Sequence, residues 1–335
     1  MGRISFALEP MPPFRLDLTV WTLRRRPDNI VDRWDGGTYR RALVRHDTPI
    51  EVAVTQTTPP DAPTLEVVIT GARLARGLRA HVTTALEHLL GIRLDLAEFY
   101  RLAARDPTLA LLVQRFRGVK PPRLPTLFET LVNAIACQQV TLTLGIRLLN
   151  RLAEAYGPPV LAPGMPAHAF PRPEDLAVVA PETLRGLGVS RQKARALIEL
   201  ASALAARRLD LDRLVSSDDD ATVAQLCQLR GVGRWTAEYA LLRGLGRLHI
   251  FPGDDVGARA NLQRWLRLAE PLGYEGVRST LAKWRPYGGL IYFHLLLDRL
   301  AEAGTLTEVP IPKPQLSSSA GEETITDKET HSLCM

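Results

Sequence analysis

Cysteine is scarce in this 335-residue chain: Cys137, Cys227 and Cys334 stand far apart, and none belongs to a C-x-x-C pair. Three such residues cannot build a disulfide framework, a zinc ribbon or a four-cysteine iron–sulfur cluster. A reducing cytoplasm is the expected setting. Cys137 and Cys227 sit among apolar neighbours and read as small core residues. Long apolar runs are also missing. No stretch approaches the ~20 uninterrupted apolar residues of a membrane span, and the opening Met1-Gly2-Arg3-Ile4-Ser5 leads into no secretory-type run. Lysine is the third shortage. Only Lys120, Lys193, Lys283, Lys313 and Lys328 occur, so the basic charge is almost all arginine.

The composition that remains is globular, 46% hydrophobic and 23% charged, and the length suits two or three domains with cores of their own. The net charge is +6, but residues 307–335 carry −3, which leaves +9 on the rest. A basic body favours an anionic partner, with nucleic acid first in line.

Residues 14 to about 70 read as strands. Phe14-Arg-Leu-Asp-Leu-Thr-Val, Glu51-Val-Ala-Val-Thr and Leu65-Glu-Val-Val-Ile alternate with period two. Asp35-Gly36-Gly37-Thr38 and Pro59-Pro60-Asp61 supply turn chemistry between them. From Leu74 to about Ala303 the spacing is helical, broken by a Pro-rich connection from Pro158 to Pro173. Pro310, Pro312, Pro314 and Ser317-Ser318-Ser319 open a flexible tail. The fold class is therefore α+β. A small antiparallel β-rich domain with a helix spans 1–112, a mainly helical body 113–306, and a disordered tail 307–335.

The informative stretch follows Ala224. Leu226 and Leu229 close a short helix, Arg230-Gly231-Val232-Gly233 makes a tight turn, and Arg234 opens a second helix. The glycines allow positive φ and close backbone approach, and free amides at the second helix form an anion site fit for a phosphate. An ordinary tight helical connection would look the same. Downstream, Pro252-Gly253 delivers Asp254 and Asp255 to the mouth of a further helix. Helix capping accounts for such a pair, yet a capping carboxylate can also do chemistry.

With Leu229-Arg-Gly-Val-Gly-Arg-Trp-Thr-Ala-Glu-Tyr followed by Phe251-Pro-Gly-Asp-Asp, the chain resembles the helix-hairpin-helix (HhH-GPD) DNA glycosylases, nearest the bacterial 3-methyladenine DNA glycosylase II branch. Phe128-Glu-Thr-Leu-Val-Asn-Ala-Ile-Ala-Cys-Gln138-Gln139-Val is similar to that family's early helix and DNA-probing turn. Leu187-Gly188-Val189-Ser190-Arg191-Gln192-Lys193-Ala194 is similar to the helix pair before the hairpin. The resemblance runs from about Pro122 to Leu300 in the family's order.

The resemblance implies a body of two helical subdomains with the active site in the cleft between them. It implies Asp255 as the catalytic carboxylate, with Asp254 a cap or helper. Trp235, Tyr239 and Gln138 would line the base pocket, with Tyr287, Tyr292 and Phe293 candidates for its wall. Gln139 falls at the wedge position, where the branch usually has an apolar residue. Arg230, Gly231, Val232, Gly233, Arg234 and Thr236 would grip DNA phosphate. The carbonyls of Leu229 and Val232 are candidates for a monovalent cation, and no other metal or cofactor is expected. Trp235 stands where strand-cleaving relatives carry a lysine nucleophile, and no lysine lies between Lys193 and Lys283, so lyase chemistry is not expected. The implied function is monofunctional release of alkylated purines, of the 3-methyladenine and 7-methylguanine type, from duplex DNA in base excision repair, by a monomer with no membrane partner. Two alternatives stay open: a glycosylase for deaminated or oxidised bases, and a non-catalytic helix-hairpin-helix DNA-binding protein.

Overall fold

The computed structural model describes residues 2–72, 75–160 and 167–306; the tail expected over 307–335, with Cys334, lies outside them. Strands β1 (Gly2–Leu8), β2 (Arg33–Trp34), β3 (Thr38–Arg45), β4 (Thr48–Gln56) and β5 (Leu65–Gly71) form one antiparallel sheet. Its order is β1-β5-β4-β3-β2. Alternation decides which face is buried: Leu65, Val67 and Ile69 are wholly inside while Glu66 is exposed. Ile69 sits opposite Ile4 on one side and Val52 on the other, which fixes the register across three strands. The Asp35 turn joins β2 to β3 as expected, its carboxylate accepting the amides of Gly37 and Thr38 at 3.1 and 2.7 Å.

The strand expected over Phe14 to Val20 is instead a helix, Leu16–Arg24. It lies between two cores and is buried on nearly every side. Leu16, Val20 and Leu23 pack into the sheet core, whereas Leu18 and Trp21 pack into a helical core. An apolar residue at every second position then satisfies two helix faces at once, and the alternation no longer distinguishes strand from helix.

The helical body has two cores. One gathers Leu127–Cys137, Leu142–Tyr156, Arg191–Ala205 and Arg234–Arg243. The other packs Ala97–Ala103 and Pro107–Arg115 against Val256–Trp265, Tyr274–Leu281 and Gly288–Glu302. Arg41 on β3, 2% exposed, ties the sheet to the first core. It donates to Asp32 at 2.6 Å and to Glu129 on the Leu127–Cys137 helix. Such a buried charge is tolerable only because both ends are paired. Cys137 packs half-buried against the first core as expected, but Cys227 is exposed, one residue past the last buried position of its helix. Among the described residues no helix is long and apolar enough to cross a membrane.

His294 is buried on the Gly288–Glu302 helix, with Nδ1 at 2.8 Å from the Leu290 carbonyl, and burial pushes its pKa down to about 4. The unfolded chain binds a proton near pH 6.5 that the folded chain refuses until about pH 4. Stability due to this group is therefore complete above pH 6.5 and is lost as pH falls through that interval, by about 3 kcal/mol in all. Denaturant melts of the wild type and His294→Gln should differ increasingly below pH 6.5, the wild type losing more.

Candidate active site

The helices Asp219–Leu226 and Arg234–Arg243 are joined by the predicted hairpin. Gly231 takes φ +76°, and a Cβ there would stand 2.9 Å from Ala196 Cβ, so glycine is required on both counts. Val232 anchors the turn in the first helical core, 7% exposed. Gly233 caps the second helix with no side-chain acceptor, which leaves its first-turn amides without a capping side chain. Arg230 and Arg234 are exposed beside them. At the candidate cation position the Leu229 carbonyl accepts the Val232 amide at 3.1 Å. Among the described residues no group of three or more His, Cys, Asp or Glu could hold a metal ion.

Asp255 caps the Val256–Trp265 helix, Oδ1 accepting the Ala258 amide at 2.8 Å. Its Oδ2 accepts from Trp235 Nε1 at 3.2 Å and from the Tyr292 hydroxyl at 3.4 Å. Asp254 instead pairs with Arg234 Nε at 2.7 Å, and that guanidinium lies 3.8 Å above the Tyr274 ring. The loop bearing both aspartates is tied to the hairpin by Glu238, 6% exposed. Glu238 accepts the Gly253 amide at 3.1 Å and the Tyr274 hydroxyl at 2.6 Å. Burial raises the Glu238 pKa against the opposing effect of those bonds, and burial with Glu238 beside it pushes the Tyr274 phenol up to about 12.

The Trp235 and Tyr239 rings pack with centroids 5.6 Å apart and planes tilted by 40°. Trp235 is half-buried, while Tyr239 is 3% exposed beneath it, its hydroxyl 3.2 Å from Asn133 Oδ1 and 3.3 Å from Arg25 Nη1. Phe293 is fully buried and Tyr287 packs on Phe99 in the second helical core. Gln138 ends the Leu127–Cys137 helix and donates from Nε2 to the Gly231 carbonyl at 2.7 Å and to Thr236 Oγ1 at 2.8 Å. Gln139 is exposed with φ +51°, a left-handed backbone that costs a non-glycine residue about 1 kcal/mol.

A cleft of about 1160 Å³ brings these parts together. It is lined by Gln138, Gln139, Arg230, Gly231, Gly233, Arg234, Trp235, Thr236, Asp254 and Asp255; Tyr239 and Val232 lie behind its wall. Four helix N-caps meet there, at Thr141, Ser190, Gly233 and Asp255. The positive ends of four helices, with Lys193, Arg195, Arg230 and Arg234, favour an anion along the cleft. Asp254 and Asp255 are the only carboxylates in its lining.

Residues 132–286 match the family described as HhH-GPD superfamily base excision DNA repair protein. Over these residues the chain carries the helix-hairpin-helix region of that superfamily. It is 32% identical over 201 residues to DNA-3-methyladenine glycosylase of Bacillus subtilis, spanning 60% of this chain and 66% of that one. It is 30% identical over 179 residues to DNA-3-methyladenine glycosylase 2 of Escherichia coli, spanning 53% of this chain and 60% of the relative. The solved 3-methyladenine DNA-glycosylase of Archaeoglobus fulgidus superposes with a TM-score of 0.76 at 27% identity, over 90% of this chain and all of that one.

Within this HhH-GPD frame, three groups lie outside the site residues read from the sequence: Lys193 in the cleft lining, and Arg25 and Glu238 behind it. Lys193 Nζ donates to the carbonyls of Ala136 and Gln138 at 3.0 and 2.6 Å, and so closes the helix end that precedes Gln139. Arg25 comes from the distant N-terminal helix, with no local signal. Glu238 does carry a signal: it is the one acid in the otherwise largely apolar run Trp235-Thr-Ala-Glu-Tyr-Ala-Leu-Leu242. By the hairpin geometry, Gly231→Ala should lower stability by about 1–2 kcal/mol. Gly233→Ser, on extended backbone with open space around it, should stay within about 0.5 kcal/mol. Thermal melts of the two variants compare these directly.

Proposed function

We propose that the chain is a monofunctional DNA glycosylase that acts as a monomer on duplex DNA, flips out alkylated purines of the 3-methyladenine and 7-methylguanine type, and hydrolyses their N-glycosidic bond. The observation that carries this reading is the position of Asp255: a carboxylate oriented by three donors, in a cleft otherwise built to receive an anion. A bare phosphate grip has no use for that carboxylate. The names of the bacterial relatives agree with the alkylated-base assignment.

In this mechanism the hairpin amides of Gly231 and Gly233, with Arg230 and Arg234, hold the DNA backbone without reading its sequence. Val232 anchors the turn and Thr236 is held by Gln138. Gln139, exposed on strained backbone at the cleft, fills the gap left by the flipped base, and Gln138 stands at the pocket entrance. The base stacks against Trp235, with Tyr239 supporting that ring from behind. A cationic N-alkylpurine gains from the electron-rich indole face.

Cleavage breaks the C1′–N bond and leaves its electron pair on the base. Asp255 stabilises the positive charge that develops on the sugar and orients a water. The water hydroxyl joins C1′, and the remaining proton leaves to the departing base or to solvent. No lysine stands at the hairpin helix to attack the sugar. Lys193, the one lysine in the cleft lining, is committed to two carbonyls.

Wild-type protein should release methylated purine from methylated duplex DNA, and Asp255→Asn should lower the single-turnover rate by about 10²-fold or more. An active Asp255→Asn would make Asp255 only a cap. Borohydride treatment during turnover should trap no covalent protein–DNA adduct. DNA affinity should fall steeply with added salt because arginine–phosphate contacts release counterions; salt-independent binding would count against the nucleic-acid assignment.

A further inference from the structure

Two buried guanidiniums lie behind the aromatic wall of the cleft, and the mechanism above uses neither. Arg25 is 7% exposed and Arg243 1%. Arg25 donates from Nη1 to the Tyr239 hydroxyl at 3.3 Å and from Nη2 to Asn133 Oδ1 at 2.6 Å. Arg243 stands 5.7 Å from the Tyr239 ring and 5.2 Å from Phe293, and donates to the Thr22 carbonyl at 2.7 Å. Neither has a carboxylate within 4 Å among the described residues, and Nε of both, with Nη1 of Arg243, has no hydrogen-bond partner. Asp32, the acid that acts on Arg25, is itself paired with Arg41 at 2.6 Å.

An uncompensated buried charge is costly, and two beside one tyrosine are more so. The tyrosine joins them to the reactive end of the cleft. Tyr239 packs on Trp235, Trp235 donates to Asp255, and Tyr292 reaches Asp255 from the helix that also carries Phe293. Tyr292 responds to all of these groups: burial raises its pKa well above the ordinary range, Asp255 adds to the rise, and Arg243 and Arg25 oppose it. Arg25 and Arg243 thus stand at Tyr239, and Asp255 is reached from the same aromatic cluster through Trp235 and Tyr292.

We infer that Arg25 and Arg243 act as electrostatic positioning residues, making the inner end of the base pocket positive so that the local field runs along the glycosidic bond. This rests on the glycosylase reading above. Heterolysis makes the sugar more positive and moves an electron pair onto the base. A neutral base then leaves as an anion, and a cationic N-alkylpurine leaves neutral. In both cases the base loses about one unit of positive charge beside two guanidiniums, while the sugar gains it beside Asp255. Fixed charges of this kind stabilise the transition state without reorganising.

The test compares charge with geometry. Arg25→Gln, Arg25→Lys, Arg243→Gln and Arg243→Lys are assayed for single-turnover release of 7-methylguanine and of hypoxanthine from duplex DNA, alongside affinity for a duplex bearing an abasic analogue and thermal melting. The Gln variants should lose roughly tenfold or more in rate on both lesions with affinity unchanged, and the Lys variants should recover most of it. Equally slow Lys and Gln variants, Gln variants at the wild-type rate, or rate losses that follow loss of affinity or folding would each overturn the inference. A wild type that releases neither base would overturn the glycosylase reading itself, and this inference with it.

Discussion

The burial of one helix governs the rest of this molecule. Arg234–Arg243 follows the hairpin and is covered from Thr236 onward, with Ala237, Ala240 and Leu241 in the first helical core and Tyr239 in the sheet core. A helix clamped between two cores has no freedom to slide, so every group anchored to it inherits a fixed position. Thr236 holds Gln138, Trp235 holds Asp255, and Glu238 holds the backbone of Gly253 two residues before that carboxylate. The site is rigid because its supports are the interior of the protein.

The cleft itself is an assembly of helix ends. Thr141, Ser190 and Asp255 cap their helices through side-chain oxygens, and Gly233 does so with none. Lys193 closes the opposite kind of end, donating to the carbonyls of Ala136 and of the C-cap Gln138 at the end of Leu127–Cys137. A cation at a helix C-terminus and an anion at an N-terminus both follow the helix dipole. Local capping rules therefore place the cleft's most polar groups, and the tertiary fold needs only to turn those ends toward one another.

Much of this was legible in the sequence because it is local. The hairpin glycines, the Pro-Gly break, the aspartate pair and the Trp235/Tyr239 spacing each need only a few neighbouring residues, and β4 and β5 announced themselves by alternation. What escaped depends on contacts across the chain. Phe14 to Val20 reads as a strand because the helix that forms there is shared by two cores, and nothing near Arg25 indicates that it will end beside Tyr239, 214 residues away. Arg41, Asp32 and Glu129 look like ordinary surface charges until the sheet and the first helical core close over them. Cys227 missed in the other direction: apolar neighbours do not bury a residue that follows the last inward-facing turn of its helix.

The helix Leu16–Arg24 makes the sheet and the helical body inseparable. Its Leu16, Val20 and Leu23 complete one core while Leu18 and Trp21 complete another, and Arg25, just past its end, reaches the hairpin tyrosine. Removing the N-terminal region would open both cores and take away the charge beside Tyr239. The sheet is therefore not a module appended to a self-sufficient helical body but a part of the wall against which that body folds.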